Sequence, residues 1–341
     1  MNSEHCLINL KRLKGAEIDT GYSKQGIRDL LQNAQATPDL PFTRSQFIQE
    51  QPQRQKGMSI SGYQPKLSLA LEDKVLRVVS NGGTYILKPS PEEYPHLAEN
   101  EHATMTVMAR LKFVVPPFGL VRFRRDEDRQ EELALVISRY DRGQNGQKRF
   151  HQEQLDGAMG IADKYGTIDD KKAVSYQRAA RFLLETLGDS LTNKRDIFLR
   201  IVYAYVLGNN DFHLRNFGIL LPLNAPPTLA PVYDFISVVP YPAAFGEYLA
   251  LPLLECEENV EEIAPGLDSP YGEYTGADFI ALAEGIGIQN RLARKWLSDV
   301  IKSHPLIIDT YSESHMPAEQ WQQVLKYVAR RMHLLEITDL P

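Results

Sequence analysis

Asn209-Asn210-Asp211-Phe212-His213-Leu214-Arg215-Asn216-Phe217-Gly218 is the stretch on which the reading of this chain turns. It follows a run from Asn193 to Gly208 that carries Ile197, Phe198, Ile201, Val202, Tyr205 and Val206. That spacing predicts an apolar helix, and Gly208 is placed to end it. An acid and an amide, Asp211 and Asn216, therefore stand in a polar loop directly after a buried helix. Their Asp-x-x-x-x-Asn spacing is that of a phosphoryl-transfer loop. In such a loop the carboxylate accepts the proton of an attacking hydroxyl, and the amide oxygen further along ligates Mg²⁺. Asp and Asn also favour caps and turns for purely local reasons, so the loop needs company before it counts.

Company stands on both sides. Downstream, two short apolar segments (Phe217 to Leu221, Thr228 to Val232) flank a Pro-rich turn and lead to Pro231-Val232-Tyr233-Asp234-Phe235. Asp234 sits where a second metal-binding carboxylate is needed. Upstream, Thr84-Tyr85-Ile86-Leu87-Lys88-Pro89 ends a strand on a lysine. A lysine so placed in kinases holds the α- and β-phosphates of ATP and is itself positioned by a helical glutamate. Glu101, rather than Glu99, is the candidate. Further upstream, Gly57 to Lys66 contains Ser59, Ile60, Ser61 and Gly62, small residues whose backbone N–H groups could cradle a phosphate. It is neither a GxGxxG nor a Walker A loop. Each feature has an ordinary reading alone: a serine-containing turn, a lysine reaching water, a helix cap. Together they follow the chain order of a kinase. His213 could orient Asp211 or touch a phosphate oxygen, and a structural loop histidine reads equally well. No His or Cys spacing suggests zinc.

The surrounding pattern suggests an α+β fold with a bilobal plan. Short strands are predicted over Lys66–Leu71, Val75–Val79, Thr84–Lys88, Phe118–Phe123 and Leu133–Ser138, with a helix over Leu97–Leu111 inserted among them. Lys24–Ala34 suits a short helix, and the Gln- and Pro-rich stretch to Lys56 suits a loop with one more. After Asp141 helices are predicted over Gln152–Ala162, Lys172–Leu187, Asn193–Gly208, Ala277–Glu284, Arg291–His304 and Ala318–Ile337. Residues 1–140 thus read as a β-rich N-terminal lobe and 141–341 as a helical C-terminal lobe.

Composition narrows the setting. The 341 residues are 43% hydrophobic and 24% charged, enough for two lobes, and the net charge of −6 argues against broad, direct nucleic-acid binding. Arg122, Arg124, Arg125, Arg330 and Arg331 read as solvated faces. Cys6 and Cys256 lack CxxC spacing and read as free thiols in a reducing compartment. The chain shows neither a bilayer-spanning apolar run nor a signal peptide, so no membrane association and a cytoplasmic location are expected.

On these residues the chain resembles the HipA-like serine/threonine kinases, the toxin half of bacterial toxin–antitoxin systems. Ser59 to Lys66 is similar to the family's phosphate loop, Tyr85 to Pro89 to its ATP-lysine strand, and Ser138-Arg139-Tyr140-Asp141-Arg142 to its hinge. Asn210 to Phe217 and Tyr233 to Phe235 are similar to its catalytic and metal segments. The resemblance implies a bilobal, protein-kinase-like α+β fold and transfer of the ATP γ-phosphate to Ser or Thr, with Asp211 as base and Asn216 and Asp234 on Mg²⁺. Lys88, Glu101, Ser59, Ile60, Ser61, Gly62, Lys66, Ser138, Tyr140 and His213 would line the ATP site. Ser59 matches the family's self-phosphorylated serine, and Ser61 adds a second candidate for autophosphorylation. The implied substrate is an aminoacyl-tRNA synthetase. About 58 residues precede the loop, too few for the family's extra N-terminal subdomain. The chain therefore looks like the short form, HipT. That form implies a small HipS-like antitoxin supplying the subdomain, a helix-turn-helix HipB-like DNA-binding component, and the tryptophanyl synthetase as target. The rival readings are a small-molecule or lipid phosphotransferase and a pseudokinase acting as a binding module.

Overall fold

The computed structural model describes residues 4–54, 65–125, 131–142, 150–169, 171–241, 247–260 and 262–340. The chain divides into two compact units. The first comprises Met1–Ala109, Val114–Arg149 and Thr310–Ala318, and the second Arg110–Phe113, Phe150–Asp309 and Glu319–Pro341.

The first unit is built on an antiparallel sheet of β1 (Leu67–Glu72), β2 (Val75–Val78), β3 (Tyr85–Pro89), β4 (Phe118–Arg122) and β5 (Leu133–Ser138), in the order β2-β1-β3-β5-β4. Its helices are α1 (Glu17–Thr20), α2 (Lys24–Leu31), α3 (Arg44–Arg54) and α4 (Leu97–Arg110). In β1, Leu67 and Leu69 are buried while their neighbours are half-exposed, as a two-residue repeat requires. In β5, lying between β3 and β4, all of Leu133–Ile137 are buried, so it reads as a continuous apolar run. Residues ahead of the sheet are part of the same core. Cys6, Leu7, Ile8, Leu30, Leu40 and Phe47 pack in one cluster with the strand leucines and valines. Leu120 donates to the Leu7 carbonyl at 2.9 Å, and a His102 ring nitrogen pairs with the Ile8 carbonyl at 2.8 Å.

The β1–β2 hairpin closes in two residues, with Glu72 opposite Val75. Asp73 and Lys74 hold φ of 48° and 67°, the left-handed pair whose twist matches the strands. A lysine there carries a Cβ penalty that glycine would not. Lys74→Gly is therefore expected to raise stability by about 0.5 kcal/mol and Lys74→Val to lower it by about 1 kcal/mol, measured by denaturant titration. Both lose the same Lys74–Gln35 hydrogen bond, so opposite signs isolate the backbone effect.

The second unit contains β6 (His151–Gln154), α5 (Leu155–Ala158), β7 (Thr167–Ile168), β8 (Lys171–Lys172), α6 (Tyr176–Leu187), α7 (Leu191–Leu207), β9 (Gly218–Leu221) and β10 (Thr228–Leu229). They are followed by α8 (Gly276–Gly285), α9 (Asn290–Lys302), α10 (His304–Glu313, whose residues from Thr310 belong to the first unit) and α11 (Ala318–Glu336). Helix α7 is the axis of this unit: every residue from Ile197 to Leu207 is buried. Ser190 caps its start by accepting from Asn193 N–H at 3.1 Å. Gly208 ends it at φ 69°, where a Cβ would come within 2.4 Å of Val239. On α11, Arg331 is not on a solvated face as expected: it is buried, its guanidinium 4.2 Å from the Tyr327 ring centre and 4.7 Å from those of Tyr205 and Tyr248. It also pairs with Glu273. These contacts fix the last helix to α7.

Three predicted boundaries need correction. Residues 152–162 are not one helix. β6 pairs antiparallel with β9, and only Leu155–Ala158 is helical before Gly160 turns at φ 69°. The helix expected from Lys172 begins at Tyr176, after the Ser175 hydroxyl caps it. The helix expected to stop at His304 is followed by α10, with Pro305 in its first turn. Among the described residues, no helix is long and apolar enough to cross a membrane.

Candidate functional site

The Asn209–Asn216 loop leaves α7 at Gly208 and is held from several directions within the second unit. Tyr176 Oη donates to the Phe212 carbonyl at 2.5 Å, and Tyr233 Oη donates to the Arg215 carbonyl at 2.7 Å. Arg215 Nε donates to the buried Asp156 carboxylate at 2.6 Å. Beneath the loop, the Phe212 ring packs 4.5 Å from Phe217 and 5.1 Å from Phe235. Aromatic burial and charge-assisted hydrogen bonds thus fix a loop whose own sequence is polar.

Asp211 stands at the half-exposed rim, with its side chain 43% accessible. Its Oδ1 accepts a hydrogen bond from Tyr165 Oη at 2.8 Å, and Lys164 Nζ lies 3.5 Å from the same oxygen. Nothing in the residue pattern had pointed to Tyr165 or Lys164. His213 is buried, and its Nε2 is 3.8 Å from Asp211, beyond hydrogen-bond range. Burial pulls the imidazole below its usual pKa, with the Asp211 charge opposing, so the ring is neutral at pH 7. Its edge meets the Tyr165 ring at 5.5 Å.

Asn216 and Asp234 are brought together. Asn216 Nδ2 donates to the Asp234 carbonyl at 3.3 Å. A carbonyl can only accept, which fixes the amide's orientation. Asn216 Oδ1 is then left buried with no hydrogen-bond partner among the described residues. A buried oxygen of this kind is ordinarily met by a water, an ion or a ligand. Asp234 itself has φ 54°, a left-handed conformation that costs an aspartate about 1 kcal/mol. Phe235, fully buried against Phe212, anchors one side of it. On the other side the buried Arg200, forked onto Asp196, donates to the Ala230 carbonyl at 2.9 Å. Among the described residues no three His, Cys, Asp or Glu side chains form a metal-binding group. The two residues, joined through the Asp234 backbone carbonyl, bring an amide oxygen and a carboxylate to this loop, hard oxygen donors of the kind Mg²⁺ takes alongside water and phosphate. The residues fit that ion.

In the first unit, Lys88 Nζ lies 2.6 Å from Glu101 Oε1, and both side chains are buried. Glu99 instead pairs with His96 at 2.9 Å. The strand lysine and the helical glutamate of the sequence argument therefore meet. Ser138 ends β5 opposite Tyr85, its N–H on the Pro117 carbonyl at 2.8 Å. Tyr140 follows, half-buried, beside the Arg139–Asp141 ion pair. Lys66 immediately precedes β1. Ser59, Ile60, Ser61 and Gly62 lie outside the described residues.

Residues 58–306 match the HipA-like C-terminal domain family. A Haemophilus influenzae protein provisionally named a kinase is 49% identical over 340 residues, covering 98% of both chains. The serine/threonine-protein kinase toxin HipA of Shewanella oneidensis is 28% identical over 270 residues, which span 74% of this chain and 56% of that one. Among solved structures, a chain of the S. oneidensis MR-1 complex of HipA, HipB and operator DNA superposes with a TM-score of 0.66 at 21% identity, covering 100% of this chain and 88% of that one. The Helicobacter pylori proinflammatory kinase CtkA gives 0.53 at 13% identity, covering 83% and 93%. These likenesses show the fold: it is α+β and protein-kinase-like, as the strand and helix pattern and the family resemblance lead one to expect.

Proposed function

The chain belongs to the HipA-like C-terminal domain family, and from that premise we propose that it is an ATP- and Mg²⁺-dependent serine/threonine protein kinase acting as the toxin of a toxin–antitoxin system. The observation that carries the reading is the Asn216–Asp234 pair: Asn216 holds the Asp234 backbone, which is in the left-handed conformation, and its own buried amide oxygen has no hydrogen-bond partner among the described residues. In this reading Asn216 Oδ1 and Asp234 hold the cation. Bound there, the ion would neutralise charge on the phosphates being transferred. Lys88, kept in place by Glu101, holds the α- and β-phosphates. Asp211 removes the proton of the incoming Ser or Thr hydroxyl. Catalysis of this kind is chiefly positioning and electrostatics.

The finer proposals follow the family. The substrate is an aminoacyl-tRNA synthetase, with the tryptophanyl enzyme first, and Ser59 and Ser61 are regulatory autophosphorylation sites. The antitoxin includes a HipB-like DNA-binding component, as the S. oneidensis HipA complex contains HipB. A HipS-like partner of a short-form HipT belongs to the same proposal; on the first unit Cys6, Leu7, Ile8 and Phe47 pack in one core with the strands of the sheet.

The test is transfer of label from γ-labelled ATP with Mg²⁺, offering aminoacyl-tRNA synthetases, inositol lipids and aminoglycosides as acceptors. Label on protein Ser or Thr is expected, abolished by EDTA. Label on lipid or aminoglycoside would place the chain among the small-molecule phosphotransferases. ATP binding without transfer to any acceptor would make it a pseudokinase.

A further inference from the structure

The loop that carries Asp211 does not by itself fix the aspartate's carboxylate. A second segment, some fifty positions earlier in the chain, reaches it. Lys164 and Tyr165 lie in a turn organised by Asp163, whose Oδ2 accepts from Tyr165 N–H at 3.1 Å and from Thr167 N–H at 3.0 Å. Gly166 follows at φ 70°, where a Cβ would meet Val174 at 2.7 Å. The turn is joined to the Asp211 loop by backbone: Leu214 N–H donates to the Lys164 carbonyl at 3.0 Å. Arg215 extends the seam through its ion pair with Asp156. The turn is therefore built as a rigid buttress rather than a lid.

Its two side chains converge on one oxygen. Tyr165 Oη (2.8 Å) and Lys164 Nζ (3.5 Å) both address Asp211 Oδ1, while no described residue donates to Oδ2. We infer that Tyr165, assisted by Lys164, is a positioning residue for phosphoryl transfer: it pins Oδ1 of Asp211 and leaves Oδ2 as the atom that takes the acceptor's proton. The inference rests on the reading of Asp211 as the base. The tyrosine is suited to the task because its hydroxyl stays protonated. Burial first, and then the neighbouring Asp211 charge, push the phenol well above its usual pKa. It is thus a permanent donor to a charged acceptor, the short and directional kind of hydrogen bond. Lys164 supplies the counter-charge, with its ammonium 4.6 Å from the Tyr165 ring centre.

Tyr165→Phe removes only the hydroxyl and keeps the ring edge-on to His213. The expected result is a fall in kcat of about 10- to 100-fold, the scale on which a misplaced catalytic group costs rate. The KM for ATP and the melting temperature should stay within error of wild type. A purely structural tyrosine would move the melting temperature and not the kcat. Lys164→Met, which keeps the stem over the ring, should show a smaller kcat loss with the same unchanged KM. Wild-type kcat in Tyr165→Phe, alongside an active wild-type enzyme and an inactive Asp211→Asn control, would overturn the inference and leave the kinase reading standing. So would a phosphate on Tyr165 after incubation with Mg·ATP, because the hydroxyl would then be an acceptor and not a support. A wild-type enzyme that transfers nothing to any acceptor would remove the base and the inference with it.

Discussion

Asp211→Asn should lower kcat for phosphoryl transfer by about 10³-fold, within the 10²–10⁴ range that a general base contributes. The substitution is isosteric, and the amide oxygen can still accept the Tyr165 hydroxyl, so the loop keeps its shape. What it loses is proton affinity. The side chain is 43% accessible, and the amide can still accept from Tyr165 and lie near Lys164, both half-buried, so little stability should go with it. Affinity for Mg·ATP should change less than about twofold, because Asn216 and Asp234 are untouched. Single-turnover transfer from labelled ATP reads the chemical step directly. A variant that keeps a tenth or more of the wild-type rate would show that some other group takes the proton.

Asp234→Asn is expected to cost at least as much by a different route. Asparagine tolerates the left-handed backbone at φ 54°, so the strained turn survives. The pair it forms with Asn216 would then offer two neutral amide oxygens where a divalent cation needs a negative charge. Turnover should fall by about 10³-fold or more, with the Mg²⁺ concentration for half-maximal rate shifted upward. That shift is the discriminating readout, since Asp211→Asn should not produce it. An unchanged Mg²⁺ dependence in Asp234→Asn would mean the carboxylate does not hold the metal.

What the sequence made legible, and what it hid, follows from the range of the forces involved. Helix α7 announced itself because its signals are local: an apolar run and a left-handed glycine at its end. Lys88 and Glu101 were readable because a lysine within an apolar strand is unusual and the next helix offers few glutamates. Residues 152–162 misled because Leu155, Ala158, Met159 and Ala162 repeat with helical spacing. Pairing of Gln152, Glu153 and Gln154 with β9, sixty-odd residues away, decided the matter instead. The helix predicted to end at His304 gives way at once to α10, because Pro305 fits the first turn of a new helix. Tyr165 left no trace at all. Its contact with Asp211 exists only once the chain has folded back on itself, and a tyrosine beside a lysine and a glycine carries no motif.

Thr310–Ala318 belongs to the first unit although most of that unit lies before Arg149. Tyr311 is fully buried there with its hydroxyl 2.9 Å from that of Thr104, and Met316 is buried as well. On a ribosome these partners of α4 do not yet exist when the sheet emerges. At the usual 5–20 residues per second, the intervening chain takes roughly 8–30 s to make. Throughout that interval the nascent sheet lacks part of its packing, and Lys88 and Glu101 sit in an unfinished core. A chain of the proposed activity, which would halt protein synthesis, is thereby kept incomplete for most of its own translation. The same interval is the window in which an antitoxin or a protease would meet it in its least stable form.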